Sequence, residues 1–460
     1  MIVPIQNTVS TSVLLLISLL FSCKKFVEVE PPRTRLVSHS VFENEGSANA
    51  AIIGIYSSIM STTNGLLSGG ITLYSGLSAD EFTDYSNGSY GEFSSNSLTP
   101  SNGSNQTLWS EAYNRIYAAN SIIIGLENSK SLPAESTNRF KSEAKFIRAL
   151  CYFYLTNFYG DVPQVTDIDY ELNTKVSRSS RQEIYNLIIK DLIDAERYLP
   201  DDYSINSGER TRPNKWSAKA LLARAYLYTG DWANAERYST EVINNNGLYQ
   251  LLPNLNDVFL KNSSESILQF APVRSETNTN EGEIFIITAA PDNVTLTSNL
   301  VNTFSNDDKR KNNWIDTFIL ANNKYIYPFK YKVKKSATVT EYYTVLRLAE
   351  QFLIRAEARA QNNDISGAIF DINIIRQRAG VEDLSTVISK SDCLDAILSE
   401  RRLELFCEWG HRWLDLKRTN KADQIMKPLK GANWQSTDTL YPIPQIQISN
   451  DPNISQNPGY

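Results

Sequence analysis

The chain is short of the residues that carry reactive chemistry. Its 460 residues hold only two histidines, His39 and His411, and neither has a ligating partner three or four positions away. Zinc-type ligand spacing is therefore absent, and neither a metal nor another cofactor is expected. There are four cysteines. With Cys23 assigned to a separate task below, Cys151, Cys393 and Cys407 remain, an odd set that leaves buried thiols or one bridge and a spare. Cys151 sits inside Ala149-Leu150-Cys151-Tyr152-Phe153, where an apolar, buried role is expected. Positive charge is also in deficit: 45 Lys and Arg against 51 Asp and Glu give a net charge of −6. That balance argues against nucleic acid as a partner. Lys332, Lys334 and Lys335 form the one notable basic cluster and read as a solvated strand end. Only one long apolar run is present, Val13 to Phe21, and it is shorter than the roughly 20 residues a membrane-spanning helix needs.

That run closes on Leu20-Phe21-Ser22-Cys23, which looks like a bacterial lipobox, although Phe21 is bulky and residues 1–12 carry no Lys or Arg. The expectation is a lipoprotein signal over 1–22, removed so that Cys23 becomes the lipidated first residue. Residues 23–40, with Pro31-Pro32 and mixed charge, then read as a tether. Acyl chains contribute about 0.8 kcal/mol per buried CH₂, so two of them give lasting attachment.

Residues 41–460 are expected to form a single, mostly α body. Ala50, Ile53, Gly54, Ser57 and Ser58 fall on one face of a first predicted helix, and Trp109, Tyr113, Ile116 and Tyr117 on one face of a second. A third helix runs from Phe140 to Tyr159 and a fourth from about Ser180 to Tyr198, before Pro200. Ala220 to Ala235 resembles a tetratricopeptide unit, with Gly230-Asp231 at its turn. A second copy spans Leu346 to Arg378, with Asn362-Asn363-Asp364 at the turn and Ala368 after it. Such units cannot bury their apolar faces alone, so they must stack. Two regions break the helical period: 75–104, rich in Gly, Ser and Asn, and 250–340, where Ser266–Phe270 and Tyr325–Tyr331 read as short strands. The fold class is thus a tetratricopeptide-like helix-pair scaffold with a loop-rich region containing short strands.

Several motifs together resemble the SusD/RagB family of Bacteroidetes outer-membrane lipoproteins. They are Glu143-Ala144-Lys145-Phe146-Ile147-Arg148-Ala149 leading to Tyr159-Gly160-Asp161-Val162-Pro163, Leu346-Arg347-Leu348-Ala349-Glu350 leading to Arg355-Ala356-Glu357-Ala358, and Asn373 to Gly380. Glu400-Arg401-Arg402-Leu403-Glu404-Leu405 with Gly410-His411-Arg412-Trp413 follows, and the chain ends on Tyr441-Pro442-Ile443-Pro444 and Gln456-Asn457-Pro458-Gly459-Tyr460. The resemblance implies a lipid-anchored, non-enzymatic protein on the outer face of the outer membrane. Such a protein captures nutrient, usually oligosaccharide, and caps a SusC-type TonB-dependent transporter.

Glu400, Glu404 and Glu408 recur every four residues and so are expected along one helical face, with Arg401 and Arg402 beside them. A structural Glu/Arg network explains them better than a glycosidase pair, and His411 has no nucleophile nearby. Binding needs different groups: an aromatic face for the C–H side of a sugar ring, and amides or carboxylates for its hydroxyls. The chain has 24 Tyr and 7 Trp. Tyr152, Tyr154, Tyr226, Tyr228, Trp216, Trp232 and Trp413 fall in helix pairs and read as packing residues. The ligand-binding candidates are Asp80, Tyr85, Asn87, Tyr90 and Phe93 in the first loop region, and Trp314, Tyr325 and Tyr327 in the second, with the two loops expected to meet over the scaffold. A peptide ligand, or a scaffold that docks envelope proteins without binding ligand, are the alternatives. The sequons Asn102-Gly103-Ser104 and Asn293-Val294-Thr295 read as plain polar loops.

Overall fold

A file of α-helices, each packed on the next, forms the scaffold. The computed structural model describes residues 41–460 apart from Ser89; the signal, Cys23 and the tether lie outside the described residues. In chain order the main helices are α1 (Glu45–Met60), α2 (Ile71–Ser78), α3 (Gly103–Asn128), α4 (Ala134–Tyr159), α5 (Arg181–Tyr198) and α6 (Lys215–Thr229). Then come α7 (Trp232–Ile243), α8 (Leu348–Gln361), α9 (Ile365–Ala379), α10 (Lys390–Glu404) and α11 (His411–Arg418). From α3 to α10 each helix packs against its successor. The mostly α, tetratricopeptide-like scaffold expected from the repeat signals is what the structure contains.

The two repeat copies share one local device. Gly230 takes a left-handed φ of 77° to end α6, and the Asp231 side chain accepts from the Asn234 N–H at 3.1 Å to start α7. In the second copy Asp364 accepts from the Gly367 N–H at 2.9 Å. Each aspartate satisfies a backbone donor that the first helical turn leaves orphaned. Four residues on, Ala235 and Ala368 are fully buried, and their small side chains let the paired helices approach. Ser180 begins α5 with a reciprocal capping box to Glu183.

Charged motif residues lace the helices together from inside. Arg148 grips Asp191 through Nε and Nη2, both at 2.8 Å, tying α4 to α5. Arg224 holds Glu350 at 2.6 and 2.7 Å, tying α6 to α8, and Arg355 holds Asp371 at 2.8 and 2.6 Å, tying α8 to α9. These forks are buried, so deleting one partner strands a charge, at a cost of about 3–5 kcal/mol. The C-terminal motif is a strap over the end of α4. Tyr441 stacks on Phe158 with ring centroids 5.1 Å apart, and the Asn457 Nδ2 donates to the carbonyls of Tyr159 and Tyr441 at 2.9 and 2.7 Å.

Three local readings change. In α1 the buried stripe is Ala48, Ile52, Ile55 and Ile59, while Ile53 is exposed. Packing selects the stripe with three isoleucines over the one at Ala50, Ile53 and Gly54 that carries a single large side chain. In α3, Trp109 and Ile116 are buried, but Tyr117 is 52% exposed. The first loop region starts later than Ser75, because α2 is helical and buried through Ser78. All three cysteines in the described residues are buried free thiols.

The strands form four short antiparallel ribbons among the described residues. β1 (Phe82–Asp84) pairs with β5 (Val294–Leu296), and β2 (Val162–Pro163) with β3 (Arg178–Ser179). β4 (Ser266–Phe270) pairs with β8 (Tyr343–Arg347), and β6 (Ile315–Leu320) forms a hairpin with β7 (Asn323–Pro328). β5 also packs on β7, so β1 from the first loop region and the hairpin from the second are joined through β5.

Candidate functional site

The β6–β7 hairpin has both its ends anchored in a buried ionic cluster. Arg310, just before β6, donates to Glu400 at 2.6 Å, to Glu404 at 3.2 Å and to Asp308 at 2.8 Å. Lys330, just after β7, donates to the carbonyl of Glu404 at 2.9 Å and to the Glu408 carboxylate. Arg347, at the end of β8, reaches Glu404 and Glu408, at 2.6 and 2.7 Å, and Glu265 at 3.1 Å. Arg378 from α9 pairs with Glu265 at 2.7 Å and with Glu404. Burial alone would raise the carboxyl of Glu404, but Arg378, Arg347 and Arg310 hold it far below the usual range.

This is the structural Glu/Arg network expected in place of an acid/base pair, with one change of geometry. α10 stops at Glu404, and Glu408 arrives through a turn in which Cys407 and Trp409 take left-handed φ values of 51° and 46°. His411 is buried, and burial and then the nearby charges of Arg224 and Arg401 keep its imidazole well below the ordinary value. Lys332 and Lys334 do not form a solvated strand end. The Lys332 ammonium donates to the carbonyls of Asn313 and Phe329, and that of Lys334 to Ile286 at 2.5 Å.

Cross-strand partners share a hairpin face. Asp316, Phe318 and Leu320 thus lie on the same side as Tyr327, Tyr325 and Asn323. This face packs on Ile286 and Ile287 and meets β1. There Tyr85 sets its ring at 84° to that of Tyr325, centroids 5.8 Å apart. Tyr85 is 38% exposed and its backbone N–H donates to the carbonyl of Asn293 at 2.7 Å. Nearby, the Tyr90 hydroxyl donates to Asn293 Oδ1 at 3.2 Å and accepts from Asn64 Nδ2 at 3.5 Å. The Asn64 Oδ1 is buried and has no hydrogen-bond partner. Burial, with the charges of Asp84 and Asp292, holds the Tyr90 phenol above its ordinary value. The result is an aromatic pair beside a chain of neutral amide and hydroxyl groups.

Of the residues nominated from sequence, Tyr85, Tyr90 and Tyr325 come together here. Asn87, two residues beyond Tyr85, is exposed with a left-handed φ of 54°, which asparagine tolerates. Tyr327 is buried at the hairpin base, its hydroxyl donating to Asp316 at 3.0 Å. Three nominations belong to the core instead. Asp80 is buried under two guanidiniums, bonded to Arg412 at 2.8 and 2.9 Å and to Arg402 at 2.7 Å. Phe93 is 0% exposed, stacked on Tyr74 at 4.6 Å. Trp314 is also 0% exposed; its indole N–H donates to the Leu255 carbonyl at 3.0 Å, and the Lys330 ammonium lies 4.7 Å from its ring centroid. Trp314 therefore supports the hairpin from beneath, where no ligand reaches. Asn64, Asp292 and Asn293 were not nominated. Asn293 stood only in a sequon, and nothing in sequence announces that β5 brings it to β1.

Among the described residues no group of three or more His, Cys, Asp or Glu is placed to hold a metal ion, and no helix is long and apolar enough to cross a membrane. The fold is that of a helix-pair scaffold with short strand ribbons, and comparison with known proteins supplies the family. Residues 227–460 match the SusD family, and residues 26–227 match a related family described as starch-binding and associating with the outer membrane. The chain belongs to the SusD family.

SusD-like protein P2 of Formosa agariphila is 25% identical over 500 aligned positions, covering 94% of this chain and 96% of the relative. A solved SusD superfamily structure from Bacteroides thetaiotaomicron superimposes with a TM-score of 0.78 at 26% identity, covering 90% of this chain and all of that one. A laminarin-binding SusD-like protein superimposes with a TM-score of 0.74 at 24% identity, over 91% of this chain and all of that one.

Proposed function

We propose that this protein is a non-enzymatic, lipid-anchored glycan-capture protein of the outer cell surface. It holds oligosaccharide at the Tyr85–Tyr325 surface and passes it to a SusC-type TonB-dependent transporter. The observation that carries the reading is the meeting of Tyr85 and Tyr325 from loop regions distant in sequence, beside Tyr90, Asn293 and Asn64. An aromatic face takes the C–H side of a pyranose, and amides and hydroxyls take its oxygens. The starch-binding description of the matched family and the laminarin-binding structural relative support glycan over other ligands. The family's association with the outer membrane supports the location, and Cys23 is the anchor in this reading.

Affinity electrophoresis of the chain from residue 24 onward, through gels containing different polysaccharides, tests it. Retardation by at least one glycan is expected, with loss of retardation in Tyr85→Ala and in Tyr325→Ala. Migration unaffected by every glycan, with capture of oligopeptides instead, overturns the glycan reading.

A further inference from the structure

The groove between α1 and α3, with Ile55 and Ile122 in its walls, is apolar and open. Ala51, Gly54 and Ser58 line it from α1, and Tyr117, Ser121 and Gly125 from α3, around about 770 Å³ of space. Tyr117 is 52% exposed, and a Cβ built on Gly54 would meet no atom within 4 Å. The chain itself marks one end. Val41 and Phe42, the first two described residues, line the groove; Ser47 Oγ donates to the Val41 carbonyl and Ser129 Oγ to that of Phe42, each at 2.6 Å. The Phe42 ring occupies the space that a Cβ at Gly125 would need. The other end lies at Tyr117 and Ser58, where Arg115 Nη2 donates to the Ser58 carbonyl at 2.8 Å.

From Gly125 to Tyr117 α3 rises about 12 Å, at about 1.5 Å per residue, which is the span of about four extended residues. Val37 and Leu36 stand four and five positions before Val41, the nearest apolar pair in the segment that precedes the described residues. We infer that Leu36 and Val37 dock in this groove and lay the end of the tether across α1 and α3. Apolar surface left in water favours whatever covers it. The tether is joined to the groove at Val41, so its effective concentration there exceeds that of any separate molecule. Where Cys23 carries the lipid, as in the reading above, docking shortens the leash from residues 24–40 to residues 24–35, or from about 56 Å to about 40 Å when fully extended.

Cysteine cross-linking in the chain from residue 24 onward tests the docking without lipid or glycan, so its failure leaves the glycan-capture reading intact. Under mild oxidation Val37→Cys/Ser121→Cys is expected to close an intramolecular disulfide at least about tenfold faster than Val37→Cys/Phe370→Cys, whose second thiol stands at an exposed position of α9. The native thiols Cys151, Cys393 and Cys407 are buried and do not compete. Adding Gly54→Trp, which puts an indole into the open groove space, is expected to slow the first closure at least about tenfold. Equal rates for the two pairs, or a closure that Gly54→Trp leaves unchanged, overturns the inference and leaves the groove to a partner protein. Disulfide-linked dimers formed by Ser121→Cys alone give the groove to a second copy of the chain and overturn it as well.

Discussion

Replacing Glu404 by Gln removes one negative charge from a fully buried cluster and leaves its volume unchanged. The wild-type carboxylate accepts from Arg347 at 2.6 Å, from Arg310 at 3.2 Å and from Arg378. In Glu404→Gln the three guanidiniums share a neutral amide whose NH₂ end faces donors. Removing one partner of a buried ion pair costs about 3–5 kcal/mol. With unfolding entropy near 2.1 cal/mol/K per residue, a body of about 400 residues has roughly 0.9 kcal/mol/K, so 4 kcal/mol lowers the midpoint by about 4–5 °C. Calorimetry at pH 7 measures it, with Glu241→Gln as the control. That carboxylate pairs with Lys219 and Arg237 near the surface, and its loss is expected to cost less than about 1 kcal/mol. The pH dependence has a definite sign. The folded-state carboxyl of Glu404 lies below its unfolded value of about 4.3, so its contribution is complete above that pH and disappears as the pH falls. Glu404→Gln should therefore lie closest to wild type in acid. A variant as stable as wild type at pH 7 would refute the claim that this cluster holds the hairpin.

Three further outcomes are expected. Trp314→Ala should destabilise the protein by about 3–5 kcal/mol, because it empties a fully buried site beneath the hairpin; guanidinium titration reads this, and a change under about 1 kcal/mol would return Trp314 to the surface. Burial pushes the Glu281 carboxyl up to about 8 despite hydrogen bonds from Thr72 and Tyr343. With its folded pKa above the unfolded one, it costs wild type stability as the pH rises from about 4.3 through 8, so Glu281→Gln should gain on wild type between pH 5 and pH 8 in thermal melts, and parallel curves would contradict this. Cys23→Ala should keep glycan binding in solution yet leave cells without uptake; normal uptake by cells carrying the variant would remove the anchor from the account.

The scaffold was legible because its signals are local. The turn at Gly230-Asp231 and the alanine after it act within one helix pair, and both appear in the structure with the expected job; the arginine forks do not, because Arg224 and Glu350 lie 126 positions apart. The Glu/Arg run was legible as structural, but its partners were not: Glu400, Glu404 and Glu408 are held by Arg310, Arg347 and Arg378, and Arg401 and Arg402 turn to Asp415 and Asp80. The binding surface was only half legible. Composition drew attention to Tyr85, Tyr90 and Tyr325, but aromatic residues in a loop-rich stretch look alike whether they face solvent or core. Trp314 and Phe93 went inward because each fills a volume set by distant partners, Leu255 for one and Tyr74 and Tyr441 for the other. Asp80 was misread because its counter-charges, Arg402 and Arg412, lie more than 300 positions away. Asn293 escaped because only the β1–β5 pairing makes it a neighbour of Tyr90, and Asn64 because it reaches Tyr90 from a separate segment before α2.

The most direct test of the central claim is calorimetric titration with the polysaccharide fragment that binds best, comparing wild type with Tyr85→Ala and Tyr325→Ala. An aromatic face lost from a sugar site is worth about 1–2 kcal/mol. The account predicts that each variant binds about tenfold more weakly while melting within a few degrees of wild type. Undiminished affinity in both folded variants would contradict it and place the site elsewhere on the protein.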